Sequence, residues 1–456
     1  MTTGTVLETV GQYSTGPDEL ELRPIQYGTD QAARESNERT SNERTSNEET
    51  GLTKWNLFRV VAASISFFFA GNNDGSLGAL TPYILRTYNV GTEYIALIYG
   101  ASFLGWLFAA ATNSHLIRYL GLGAILTLGA VIQIIAHALR CWTPPFALYV
   151  VTFFIQALGM AYNESHANTF VASLDGAHRL LGFIHAMYAL GTLVSPFVAT
   201  AIASSTGTRW PLFYVYLVGI GLINAIAVGA MFRDTLQIHP RSTTIEDTQV
   251  PSPGTASRSK RANRDIIATL KSPPVYLLSL FYFFMLGTGI TASGWVVEFL
   301  IQARGGQLPE VGYVPAALAG GIFLGRVLLA EPTHRFGERR MTMLYCILML
   351  ALQLIFWLVP NLISSAVSLC LLGFFFGPMF ATGMSIGSKL FAKDIQPTAL
   401  GFVFVLAQAG GSFFPSITGI IASRAGVKVM QPILVGLIVA MGISWAMVPK
   451  VEKRDE

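Results

Sequence analysis

Charge is scarce. Asp, Glu, Lys and Arg together make up only 12% of the 456 residues, about half the share found in ordinary soluble chains. With 52% hydrophobic residues and a mean hydropathy of +0.51, a soluble globular protein is excluded, and the apolar residues fall in runs near the ~20 needed to cross a bilayer. Cysteine is nearly absent: Cys141, Cys346 and Cys370 cannot build a disulfide framework, and the last two lie inside apolar runs where a thiol packs. No strong basic excess exists, the net charge being +4 with the basic residues in short loops, so nucleic acid is not an expected partner. The chain also lacks a glycine-rich phosphate loop ending in Lys-Ser or Lys-Thr, His/Cys spacing suited to a metal, and a Gly-x-Ser-x-Gly nucleophile turn. ATP as a driving force, a metal, a bound cofactor and an enzymatic activity are therefore not expected.

Apolar segments begin after a polar stretch. Residues 1–50 carry ten acidic and four basic residues and end in a five-residue repeat, Ser36-Asn37-Glu38-Arg39-Thr40, Ser41 to Thr45, and the variant Ser46 to Thr50. Such a composition predicts a disordered tail over 1–56. Twelve apolar segments follow, at about 58–84, 93–112, 121–141, 146–171, 180–204, 211–232, 274–300, 312–331, 341–359, 362–391, 397–423 and 429–448. Residues 233–273, rich in Ser, Thr, Pro, Arg and Lys, divide them six and six. The expectation is an all-α membrane protein with bundles over 57–232 and 274–449, joined by a linker and closed by a short tail, 450–456.

Basic flanks are retained on the cytoplasmic side. With both termini inside, the inner loops and span ends hold 19 Lys and Arg and the outer loops six, Arg86, Arg140, Arg209, Arg304, Arg424 and Lys428. Both termini are therefore expected in the cytoplasm, and the plasma membrane is the expected location. The halves also repeat. A shift of 216 places Phe67, Phe68, Gly71 and Gly78 on Phe283, Phe284, Gly287 and Gly294; a shift of 219 places Gly182, Gly191 and Pro196 on Gly401, Gly410 and Pro415. Six-span units repeated in one orientation, with a site at their interface, describe a rocking transporter.

On these motifs the chain resembles the major facilitator superfamily over residues 57–449. After the eighth span, Gly325-Arg326 and then His334-Arg335-Phe336-Gly337-Glu338-Arg339-Arg340 are similar to that family's cytoplasmic Gly-x-x-x-Asp-Arg-x-Gly-Arg-Arg loop, with Arg335, Gly337 and Arg339 at motif positions, Glu338 at the first of the paired basic positions and Arg340 directly after. His334 stands at the Asp position, and the matching loop after the second span keeps only Arg118 and Gly121. In the first span, Gly71-Asn72-Asn73-Asp74-Gly75-Ser76-Leu77-Gly78 with Pro82-Tyr83 resembles a fungal branch related to the fucose-type sugar–proton symporters. That resemblance implies proton movement at one acid in the first helix and one in the fourth, here Asp74 and Glu164.

The residues themselves point the same way. An ionised carboxylate in dry membrane costs several kcal/mol, so it must face water, find a partner or take up a proton. Asp74, Glu164 and Glu298 lie well within spans, with Glu331 at an inner end. Asn72 and Asn73 extend the polar site around Asp74, while Gly71, Gly75 and Gly78 permit close helix approach. Asn168 shares a face with Glu164, whose structural alternative is an ion pair with Arg179. On the fifth span His185, Tyr188, Thr192 and Ser195 form a polar stripe that should face a cavity. Trp295 and Glu298 share a face of the seventh span near its outer end, where gate lining or snorkelling competes with substrate contact. In the second half Gln408 is a cavity candidate, and Arg326 is expected to pair with Glu331, another acid or a backbone carbonyl.

The expected function is secondary active transport of a small organic solute, sugar-like or another metabolite, coupled to protons by a monomer in the lipid bilayer. A proton-antiporting efflux pump is an alternative: spans 5 and 11 carry a degenerate Gly-x8-Gly-x3-Gly-Pro signature, at Gly182, Gly191, Ser195 and Pro196 and at Gly401, Gly410, Phe414 and Pro415. Its presence in both halves reads first as a helix-bending and packing device. A further alternative is a non-transporting receptor on the same fold.

Overall fold

A computed structural model describes residues 53–206, 209–237, 269, 271–392 and 395–449. The pentapeptide repeats, most of the 233–273 linker and the 450–456 tail lie outside the described residues. The helices are α1 (Lys54–Tyr88), α2 (Ile95–Tyr119), α3 (Leu122–Arg140), α4 (Phe146–Ala172), α5 (Ala177–Thr206), α6 (Leu212–Met231), α7 (Pro273–Arg304), α8 (Val314–Leu328), α9 (Glu338–Leu358), α10 (Leu362–Phe376), α11 (Met379–Leu390), α12 (Gln396–Ala425) and α13 (Met430–Met447). Helices α10 and α11 form one span broken at Gly377-Pro378, where proline cannot donate to the preceding turn. Among the described residues eleven spans are long and apolar enough to cross a bilayer, and α1 falls outside that set. Its 35 residues suffice in length, but Asn72, Asn73, Asp74 and Ser76 interrupt the apolar run at mid-helix. The fold is thus all-α, with twelve spans in two six-helix bundles.

Local chemistry sets the ends. Thr53 caps α1 by accepting from the Asn56 amide at 3.2 Å, and Asn361 caps α10 through the Ser364 amide at 3.0 Å. Pro273 and Pro274 open α7, and Gly305 (φ 67°) closes it in the left-handed region that favours glycine.

The repeat seen in the sequence governs the packing. Helix α1 packs on α5 and α6, α4 on α2 and α3, and α3 on α6; correspondingly α7 packs on α12 and α13, α10 on α8 and α9, and α9 on α13. Across the halves, α1 meets α7, α2 meets α12, and α5 meets α8. Every one of these pairs maps onto another, or onto itself, when the halves are exchanged. Glycine lets the pairs within a half touch backbone to backbone: a Cβ on Gly71 would sit 2.1 Å from the Tyr188 carbonyl oxygen, on Gly191 2.3 Å from that of Phe68, and on Gly410 2.0 Å from that of Phe283. The shared spacing of the span 5 and span 11 signature is accounted for here by close packing of α5 on α1 and α12 on α7.

The halves meet toward one end. Thr92 Oγ1 donates to the Gly419 carbonyl at 2.9 Å, Ser416 Oγ donates to that of Ala96 at 3.3 Å, Phe197 lies against Tyr313, and a Cβ on Gly78 would sit 2.0 Å from the Ser293 carbonyl oxygen. Toward the other end the halves still touch through Trp106 and Phe404 and through Arg326 and the His185 carbonyl, and among the described residues contact is lost beyond them. A Cβ on Gly182 or Gly401 would meet nothing within 4 Å. The interface is therefore sealed at the end bearing the α1–α2 and α7–α8 connections and parts toward the end bearing the α4–α5 and α11–α12 connections.

Candidate functional site

Between the halves lies a cavity of about 300 Å³. Its walls come from α1, α2, α4 and α5 on one side and from α7, α8, α10, α11 and α12 on the other, while α3, α6, α9 and α13 contribute no lining residue. Most of the wall is apolar or aromatic, as in ligand sites generally, with a few polar groups converging on it.

Asp74 is the best-connected of those groups. Its side chain is open to the cavity, and its carboxylate accepts from Tyr188 Oη at 2.7 Å and from Asn73 Nδ2 at 2.9 Å. Helix α5 can present Tyr188 there because Gly71 and Gly75 bring α1 against it. Glu164, on α4, faces the same cavity; its Oε1 is buried without a hydrogen-bond partner. Among the described residues neither acid forms an ion pair, so the alternative pairing of Glu164 with Arg179 is not what the structure contains. Asn73, His185, Tyr188, Thr192 and Gln408 also line the cavity. His185 is held edge-on by Phe67, with ring centroids 5.1 Å apart, and lies 6.0 Å from the Phe380 ring across the interface.

Other expected cavity residues lie elsewhere, each for a visible reason. Asn72 is fully buried: its Nδ2 donates to the Phe68 carbonyl at 2.9 Å, its Oδ1 accepts from Tyr216 at 3.0 Å, and its carbonyl accepts from Ser195. It ties α1 to α5 and α6, and Ser195 leaves the polar stripe to serve that tie. Trp295 is buried and donates from Nε1 to the Pro415 carbonyl at 3.0 Å, which ties α7 to α12. Glu298 is 7% exposed, bonded to Gln302 one turn on, and away from the cavity, so it does not contact a solute held there. Asn168, one turn beyond Glu164, also fails to reach the wall.

The loop motif closes contacts within the second half. Arg335 pairs with Glu331 at 2.5 Å, Glu338 accepts from Ser385 at 2.7 Å and Lys389 at 2.8 Å, and Arg339 donates to the Ala446 carbonyl at 2.8 Å. Gly337 turns the chain at φ 98°, and Arg340 is exposed. Glu331 being occupied, Arg326 takes the backbone-carbonyl alternative: its Nη1 donates to His185 O at 3.0 Å across the interface, and the rest of its guanidinium lies at the cavity wall.

Two features escaped sequence reasoning. Tyr99, Ser102, Trp106 and Gln156 line the cavity, each polar or amphipathic on an otherwise apolar face. Arg140, counted above among loop residues, is 1% exposed as the last residue of α3. Its Nε donates to Thr152 at 2.7 Å, Nη1 approaches Asn73 Oδ1 at 3.5 Å, and its guanidinium lies 3.6 Å from the Phe153 ring centroid. Asn73 thereby stands between Arg140 and Asp74. Nothing in the sequence singled Arg140 out, because a basic residue at a span boundary ordinarily marks a loop.

A twelve-span, twofold-repeated bundle around a cavity walled by both halves defines the architecture of a secondary transporter, and comparison with known proteins agrees. Residues 63–415 match the family model of the Major Facilitator Superfamily, and the chain belongs to that family, whose members are transporters rather than enzymes. It is 24% identical over 419 residues, 87% of this chain and 84% of the relative, to "Bypass of stop codon protein 6" of Saccharomyces cerevisiae. It is 21% identical to the glucose/mannose transporter GlcP of Bacillus subtilis, covering 82% of this chain and 92% of that one. Among solved structures, a bacterial homolog of the human lysosomal transporter Spinster, inward-facing and occupied, matches with TM-score 0.66 at 15% identity over 87% of this chain and 96% of that one. A point mutant of the nucleoside transporter NupG matches with TM-score 0.66 at 12% identity over 87% of this chain and all of that one.

Proposed function

We propose that the protein is a proton-coupled carrier of a small organic solute, in which the bundles 57–232 and 274–449 rock about the shared cavity. The observation that carries the proposal is a pair of carboxyl groups, Asp74 and Glu164, open to one interface cavity with no ion-pair partner among the described residues. Such acids hold a charge at a cost of roughly 2.5–3.5 kcal/mol at mid-membrane unless water or a proton relieves it. Water enters only from the open end, so proton uptake and release are tied to which end is open. Tyr188 and Asn73 hold Asp74 in place through both states of that cycle, and Glu164, without a fixed partner, is free to meet solute or proton.

The basic loops support a cytoplasmic location for both termini. The parting end of the interface then faces the cytoplasm, and the state described is inward-open. No charged pair crosses the interface there among the described residues, since Arg59–Asp234 lies in the first half and Glu331–Arg335 and Glu338–Lys389 in the second. Similarity to GlcP, named a glucose/mannose transporter, and the first-span motif support a solute of sugar size and a place beside the fucose-type symporters. A monomer in the plasma membrane completes the proposal. Efflux gains nothing from the Gly-x8-Gly signature, whose glycines at 191 and 410 are spent on packing.

Counterflow in vesicles reconstituted with the full chain tests this. The wild type should accumulate solute against its gradient when a pH gradient is imposed. Asp74→Asn should still exchange solute across vesicles at equal pH but lose accumulation. Full gradient-driven accumulation by Asp74→Asn would refute the role given to Asp74.

A further inference from the structure

Among the described residues, one cation faces the cavity without an acid beside it. Arg326 lies near the end of α8, and among the described residues its guanidinium makes one hydrogen bond, from Nη1 to the His185 carbonyl. A guanidinium has five N–H donors in a planar fork, and no described carboxylate pairs with this one. None of its nitrogens is a buried atom left without a partner, so the remaining donors open on the cavity space. The groups around it offer no counter-charge: His185 is edge-on to Phe67, Tyr188 is engaged by Asp74, and α10 and α11 present Phe376, Gly377 and Phe380. Arg140, the other buried cation nearby, is enclosed behind Asn73 and does not reach the wall.

We infer that the solute carries a carboxylate, and that Arg326 receives it while the solute's hydroxyl or amide groups meet Gln156, Gln408 and the acids opposite. This rests on the transport reading above and narrows it to a solute class, small organic monoanions of monosaccharide size such as hexuronates. The planar fork matches a carboxylate in a bidentate way that a hydroxyl does not. Cavity size agrees, 300 Å³ lying at the small end of ligand sites.

Charge bookkeeping then couples the solute to protons. With Asp74 and Glu164 ionised, the wall formed by those two acids and Arg326 carries one net negative charge and repels an anion. With both protonated it carries one net positive charge and attracts one. An anion therefore enters with protons and leaves when they leave, without a separate latch.

The test is counterflow and proton-driven uptake of labelled D-glucuronate and D-galacturonate beside D-glucose, D-mannose and L-fucose, in vesicles holding the full wild-type chain. Uronates should exchange, and their uptake should rise as the outside pH falls. Arg326→Gln should weaken half-saturation for uronates on the order of 10- to 100-fold, the change for one lost charge-assisted bond, and Arg326→Lys should restore part of it. Inhibition of wild-type exchange by unlabelled uronates gives the same answer should the variants fail to fold. Exchange of neutral hexoses with indifference to uronates would overturn this inference and leave the transport reading standing; so would unchanged uronate affinity in a folded Arg326→Gln protein. No exchange of either group would overturn both.

Discussion

Gly78 is the point at which α1 of the first half touches α7 of the second, and adding one methyl there should change which end of the protein is open. A Cβ on Gly78 would lie 2.0 Å from the Ser293 carbonyl oxygen and 3.0 Å from its carbon, whereas ordinary contact begins at about 3.4 Å. The obstacle is backbone on both sides, so no side chain can swing away, and the helices must separate by more than an ångström. Overpacking of this kind costs typically 1–3 kcal/mol. Alanine also gains about 1 kcal/mol of helix propensity over glycine, but that gain is the same in every state of the cycle. The net effect is therefore a bias against the sealed end, shifting the equilibrium roughly 5- to 150-fold toward the state in which that end opens. Label pairs placed on the exposed Tyr94 and Arg424, with distances read by pulsed spin resonance, should show a longer population in Gly78→Ala than in the wild type. Gly100→Ala, where the new Cβ meets nothing within 4 Å, serves as the control and should leave the distribution unchanged. An unaltered distribution in Gly78→Ala would refute the assignment of this contact to a state-dependent seal.

Two further outcomes follow from groups that the site does not use directly. Arg140→Leu should lower thermal stability by a few kcal/mol, because it deletes the Thr152 bond and the stacking on Phe153 and leaves Asn73 with one partner fewer; scanning calorimetry or fluorescence-monitored melting checks it, and an unchanged melting point would show that the buried cation is not structural. Glu298→Gln should leave transport and its pH profile intact, since Glu298 is bonded to Gln302 and lies off the cavity wall; a lost pH gradient response would place it in the proton path after all.

Span count and two-half organisation were legible in the sequence because both follow from composition over long windows, where single errors average out. The polar stripe of α5 was legible for the same reason: three of its four members face the cavity, at helical spacing. Individual assignments depended on contacts between distant segments, which no window contains. Asn72 and Asn73 are neighbours of the same type, yet one is consumed by Phe68, Tyr216 and Ser195 while the other reaches the cavity and Arg140. Glu298, like Glu164, is an acid within a span, and its bond to a glutamine four residues on is one the helix itself supplies, whereas Glu164 faces the cavity. Arg140 was hidden by its position at a span boundary, where a basic residue ordinarily marks a loop.

Glycine carries two separate duties in this molecule, and the distinction bears on how it moves. At Gly71 and Gly191, and at Gly410, the missing side chain joins helices of one half, α1 to α5 and α7 to α12, with backbones in direct contact. These pairs bring backbone against backbone, and further helices of the same half pack beside them, so the proposed rocking would leave them intact. At Gly78, Gly312 and Gly419 the missing side chain instead lets the first half touch the second, against Ser293, Thr200 and Thr92. All three lie at the sealed end. Their counterparts on the inter-half face at the parting end, Gly182 and Gly401, touch nothing. A rigid rotation of one half on the other would lift the first set of three from contact and bring Gly182 and Gly401 into it, while leaving the α1–α5 and α7–α12 pairs unaltered. On the proposed rocking cycle, the glycines that a half shares with itself would define the moving bodies, and those at Gly78, Gly312 and Gly419 the stop at the sealed end.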